Sequence, residues 1–133
     1  MNTVPPYQVL IVDDNPEFVK NFRNLILGVC GSVVDTVHYS HNGTEGLALM
    51  RDHAYHFVFM DIDMPGVDGI TATRTATAQY HQTDTQIIAI SFHTEHTFRN
   101  QMLRAGASMF LAKDEIDADE LSNIFGMNDI SLI

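Results

Sequence analysis

The chain is poor in basic residues, has a single cysteine and no tryptophan, and contains no long apolar run. Seven Lys and Arg stand against 17 Asp and Glu, for a formal net charge of −10. A surface that grips nucleic acid needs clustered Lys and Arg, so this balance argues against direct nucleic-acid binding by the domain. With Cys30 as its one cysteine the chain forms no internal disulfide, and a lone thiol suits a reducing compartment. No stretch approaches the roughly 20 apolar residues of a membrane-spanning helix. The opening MNTVPPYQ has neither the basic start nor the apolar stretch of an export signal. Together these absences predict a cytoplasmic protein without membrane contact.

What is present is ordinary for a folded domain: 133 residues, 45% of them apolar, enough to bury a core without staples. The acidic excess fits a protein that holds a divalent cation or docks on a basic partner. Residues 1–7 read as an N-terminal tail, 8–126 as one domain, and 127–133 as a C-terminal tail or the start of a linker. Short apolar runs alternate with helical patterns. The runs are Val9–Val12, Val33–His38, Phe57–Met60, Ile87–Ile90 and Met109–Ala112. Most are continuously apolar, as parallel strands covered on both faces require.

The helices between them carry start signals. Asn15 precedes Pro16, a good cap followed by proline at the first helical position, and Phe18, Val19, Phe22, Leu25 and Ile26 then make one apolar face. Asn42 with Glu45, and Asp117 with Glu120, have the spacing of a capping box. Thr71, Thr73, Thr75 and Thr77 alternate with Ala72, Arg74, Ala76 and Ala78, a strand-like period. We assign a helix there, because a parallel strand pair needs a crossover of a dozen or so residues. The β-α alternation implies an α/β fold: a doubly wound, five-stranded parallel sheet with helices on both faces. In such sheets ligands bind beyond the carboxyl ends of the strands.

Those ends are chemically loaded. Asp13 and Asp14 follow the first strand, Asp61 and Asp63 the third, Ser91 the fourth and Lys113 the fifth; the second offers nothing obvious. Each alone has a plainer reading, as a helix cap, a loop hydroxyl or a solvated lysine. Converging on one sheet edge, they form a set. Clustered carboxylates repel, and a bound Mg²⁺ relieves that repulsion. A lysine and a hydroxyl beside them suit the oxygens of a phosphoryl group, and a strand-end carboxylate can serve as nucleophile to form an acyl phosphate.

The motifs LIVDDN, FVFMDIDMPGVDG, IIAIS and GASMFLAKD, in this order, resemble the receiver domain of two-component response regulators over about Gln8 to Phe125. The resemblance implies the flavodoxin-like strand order 2-1-3-4-5, for which a chemotaxis receiver is a standard example. It implies Asp61 as phospho-acceptor, fed by a sensor histidine kinase or a histidine phosphotransfer protein. It implies Mg²⁺ (or Mn²⁺) held by Asp14 directly, Asp13 through water, Asp61, and the backbone carbonyl of Asp63. Lys113 would pair with the phosphoryl oxygens and, before modification, with Asp61; Ser91 would be the switch hydroxyl, and Phe110 the aromatic that turns inward with it. The face of the fourth helix, fifth strand and fifth helix would then meet an output domain, a partner or a second copy.

Some positions depart from the pattern. Phe92 follows Ser91 where many relatives have a small residue, narrowing access to the site, and Asp114 follows Lys113 where many have proline. Asp63 and His93, each two residues past a key group, are expected to tune phosphoryl lifetime, together with Phe92. Two rival readings are a haloacid-dehalogenase-type phosphatase and a receiver-like interaction module that is never phosphorylated. The phosphatase pattern places its acidic pair last, whereas here Asp13 and Asp14 come first, and Pro65 stands where it has threonine or valine. The seven histidines, including the pairs His53/His56 and His93/His96 at helical spacing, lack the cysteines of a structural zinc site. They are expected at the surface and at element boundaries.

Overall fold

A computed structural model describes residues 5–80, 84–92 and 96–127 of the chain. The strands are β1 (Tyr7–Val12), β2 (Val34–Ser40), β3 (Phe57–Asp61), β4 (Gln86–Ser91) and β5 (Met109–Ala112). The helices are α1 (Pro16–Cys30), α2 (Gly43–Asp52), α3 (Gly69–Gln79), α4 (His96–Ala105) and α5 (Ala118–Ile124). The strands pair in parallel in the order β2-β1-β3-β4-β5, the flavodoxin-like arrangement expected.

Every residue of β3 is buried, because its two faces serve two separate cores. Val9, Ile11, Phe57, Phe59, Ile88, Ile90 and Leu111 point to one side, where they meet Val19, Phe22 and Ile26 of α1 and Leu121 of α5. Their neighbours Leu10, Val12, Val58, Met60, Ile87 and Ala89 point to the other, against Met50 of α2, Ala72 and Ala76 of α3, and Met102 of α4. The alternation along each strand is the ordinary two-residue period of β structure. Because all five strands run parallel, their carboxyl ends lie at one edge.

The Thr/Ala segment is helical, as assigned. Gly69, Ala72, Thr73 and Ala76 are its buried positions, a helical spacing that the strict alternation of Thr conceals. Capping follows the sequence signals. Asn15 Oδ1 accepts from the N–H groups of Glu17 and Phe18 at 3.0 and 3.1 Å. Asn42 accepts from Glu45 N at 2.8 Å, and Asp117 from Glu120 N at 2.9 Å.

Strand boundaries differ from the sequence reading by one or two residues: β3 runs on to Asp61 and β4 spans Gln86 to Ser91. Tyr7, read as tail, opens β1, because its ring packs edge-on against Phe57 at 5.2 Å between centroids. The second strand starts one residue later and runs two further, to Ser40. As an edge strand it has polar residues facing water, so hydrophobicity alone marks its end poorly.

Candidate functional site

Asp13, immediately past β1, is fully buried. Its Oδ1 accepts the Asn15 N–H at 2.9 Å, and its own N–H donates to the Ser40 carbonyl at 3.0 Å. His41 Nδ1 lies 3.1 Å from its carbonyl oxygen. The end of β2, which looked empty in the sequence, therefore fixes the acidic loop through its backbone. No side-chain motif announces that role.

Lys113 reaches this carboxylate from the far side of the sheet. Its Nζ stands 2.5 Å from Asp13 Oδ2 and 3.4 Å from Asp61 Oδ1, with all three side chains nearly inaccessible to water. The contact with Asp13 is a tight ion pair buried beside the acceptor strand. Asp61, the last residue of β3, accepts a long 3.4 Å bond from the Asp63 N–H. Burial, and then the negative charge of Asp13, push its carboxyl up to about 7, while Lys113 and the Asp63 N–H pull the other way. A group poised near neutral pH in a cleft is what reactive sites arrange.

Asp13, Asp14 and Asp61 can each offer an oxygen within 4.8 Å of the others. Asp14 is exposed, so the cluster opens to solvent on that side. Three acceptor-only carboxylates set against one ammonium fit a hard divalent cation such as Mg²⁺ or Mn²⁺. A cleft of about 250 Å³ lined by Asp14, Asn15, Asp61, Asp63, Phe92 and Lys113 leaves room beside them.

Ser91 ends β4, fully buried, in register with Ala112 of β5. Phe110, half buried on β5, packs on the α2–α3–α4 side of the sheet. Phe92 projects at the rim of the cleft with 62% of its surface exposed. His93 lies outside the described residues. His53 and His56 do not share a helix face: His53 is the C-cap of α2, and His56 precedes β3, where its Nδ1 takes the Gln8 N–H at 2.9 Å.

Besides Ser40 and His41, two further site-building residues went unrecognised in the sequence. Gly69, the first residue of α3, lies against the Asp61 backbone so closely that a Cβ would overlap the Asp61 carbonyl oxygen. Its signal was present in the PGVDG turn, where Gly66 at φ 76° also needs the freedom of glycine. Phe18, read only as part of an apolar helix face, has its ring centroid 4.5 Å from Lys113 Nζ.

The family model of the response regulator receiver domain matches residues 9–125. The chain belongs to that family. Among curated relatives, this receiver is 29% identical over 114 residues to the transcriptional regulatory protein DegU of Brevibacillus brevis, covering 86% of this chain and 46% of that one. It is 32% identical over 116 residues to the signal transduction histidine-protein kinase BarA of Escherichia coli, covering 87% of this chain but 12% of the kinase. The receiver thus spans less than half of either protein. A solved receiver domain of the sensor histidine kinase PA1611 from Pseudomonas aeruginosa, with a magnesium ion in its active-site cleft, superposes with a TM-score of 0.77 at 27% identity. That superposition covers 90% of this chain and 93% of the other. Family membership sets aside the phosphatase reading. Among the described residues no helix is long and apolar enough to cross a membrane.

Proposed function

We propose that residues 8–126 act as a phospho-acceptor switch in a two-component pathway, with Asp61 as the acceptor. The observation that carries this reading is the meeting of Asp13, Asp61 and Lys113 in one buried contact beside the open cleft. The donor is a phosphohistidine on a sensor histidine kinase or a histidine phosphotransfer protein. An Asp61 oxygen attacks phosphorus, the P–N bond breaks, and the departing imidazole takes up a proton. Asp13, Asp14, Asp61 and the Asp63 carbonyl would hold Mg²⁺ or Mn²⁺, which when bound neutralises charge on the transferring oxygens. Lys113 contributes its ammonium to those same oxygens, and the buried setting makes that charge count for more than it would in water.

Once formed, the aspartyl phosphate presents new acceptors to Ser91 and Lys113. Ser91 drawn toward it frees space for Phe110, and the balance between two arrangements of the α4–β5–α5 face shifts. That face meets an output domain, a separate partner or a second copy of the chain. Asp63, Phe92 and His93 set how long the phosphoryl group survives. We read the domain as acting in the cytoplasm, a reducing compartment that suits its one buried thiol, Cys30.

Incubation with acetyl phosphate and Mg²⁺, followed by intact mass, is expected to show one phosphoryl group per chain, absent from Asp61→Asn. Undiminished labelling of that variant rejects the assignment. A wild-type chain that takes up neither phosphate nor beryllofluoride is instead an interaction module with a receiver's shape.

A further inference from the structure

The ammonium of Lys113 is contacted by two aromatic rings as well as by two carboxylates. Its Nζ lies 4.5 Å from the centroid of Phe18 and 5.2 Å from that of Phe92, both inside the roughly 6 Å range of a cation–π contact. The two rings differ in how they are held. Phe18, in the first turn of α1, stacks obliquely on Phe22 at 5.4 Å, and Phe22 sits edge-on to Phe59 at 4.9 Å. Phe59 lies two residues before Asp61 on the same strand. The inner ring is therefore tied through packed aromatics to the strand that carries the acceptor. Phe92 is mostly exposed and directly follows Ser91. Lys113 itself opens a three-residue 3-10 turn directly after β5.

We propose that Phe18 and Phe92 form an aromatic clamp that positions the Lys113 ammonium over Asp13 and Asp61, Phe18 as a fixed wall and Phe92 as a movable one. The proposal rests on the phospho-acceptor reading of Asp61 and adds two positioning residues to it. Because Phe92 is bonded to Ser91, inward movement of Ser91 carries the outer ring along. The clamp thereby links the switch hydroxyl to the lysine through a contact that needs no hydrogen bond. A ring face attracts the ammonium through its quadrupole and adds no acceptor oxygen to the site.

Bulk and π character separate the clamp from a simple steric lid. Phe92→Leu keeps most of the bulk and loses the ring; Phe92→Trp keeps a ring; Phe92→Ala removes both. The clamp predicts that Leu and Ala each slow phosphoryl uptake from acetyl phosphate by about three- to tenfold and that Trp restores it. A lid predicts that Ala accelerates uptake while Leu leaves it unchanged, and that result overturns the proposal. Phe18→Leu is expected to slow uptake similarly; should it fail to fold, exposed Phe92 carries the test alone. A second readout needs no phosphorylation. The ζ-ammonium NMR signal of Lys113, shielded from exchange by burial, is expected to carry a ring-current shift that decreases in each Leu variant. An unchanged signal in both refutes the clamp while leaving the acceptor assignment standing. Absence of any uptake by the wild type, with the signal shifted as expected, removes the acceptor assignment and leaves the clamp.

Discussion

Replacing Asp61 by Asn should make the metal-free protein more stable, although it removes the group on which the proposed chemistry depends. The carboxyl of Asp61 is held up at about 7 by burial and by the neighbouring charge of Asp13. An unfolded Asp titrates near 3.9. The folded state therefore keeps a proton that the unfolded state has lost between about pH 4 and pH 7, and stability falls as pH rises through that window. Above it, the ionised carboxylate carries its full penalty. A difference of about 3 pH units at 1.36 kcal/mol each sets a ceiling of about 4 kcal/mol. Asn has nearly the same shape and no charge, and Lys113 keeps its contact with Asp13. Urea or thermal unfolding of both chains in chelator, from pH 4 to 8, should show little difference at the acidic end. At pH 8 the Asn variant should lead by up to about 4 kcal/mol, with about 3–5 °C in Tm for each kcal/mol in a domain of this size. Added Mg²⁺ should raise the wild type and leave the variant nearly unmoved. A variant that is less stable than wild type at pH 8, or a gap that does not change with pH, would refute the electrostatic argument.

Other perturbations probe neighbouring parts of the site. Lys113→Ala leaves two buried carboxylates without their counter-charge and should cost about 3–5 kcal/mol at pH 8 in chelator. Urea melts should show that loss shrinking below pH 7, where Asp61 takes up a proton. Gly69→Ala forces α3 away from the Asp61 carbonyl; we expect a loss of about 1–3 kcal/mol in urea melts and slower phosphoryl uptake from the displaced acceptor. Asp63→Asn and His93→Ala should each alter the decay rate of the phosphorylated chain, followed by loss of the modified mass. Identical decay in all three chains removes any tuning role for those positions.

The order of elements was readable because it is written in short-range terms. Continuous apolar runs such as FVFM in β3 can be satisfied only by cover on both faces, and caps such as Asn15 and Asp117 are made within three residues of chain. The helical state of α3 was less open, since its threonines mimic a strand; it followed from the geometry of joining two parallel strands. Asp61, Ser91 and Lys113 stood out because each follows an apolar strand whose end must lie at a common edge. Ser40 and His41 did not: Ser40 supports Asp13 through its backbone carbonyl, which leaves no mark on residue identity, and the His41 ring meets only the Asp13 backbone, a contact no local pattern announces. Phe18 was hidden for a different reason. One phenylalanine in an apolar helical stripe is indistinguishable from its neighbours until the ring's surroundings are known.

Local chain chemistry thus determined the alternating α/β architecture, the acidic and basic residues at the strand ends, and the receiver motifs that contain them. Tertiary structure alone decided that Lys113 sits closer to Asp13 than to Asp61, that the Asp61 carboxyl is lifted toward neutrality, and that two rings touch the ammonium. The division has one cause. Capping and periodicity act over a few residues, whereas a charge in a desolvated cleft responds to every group within several ångströms, wherever in the chain that group resides.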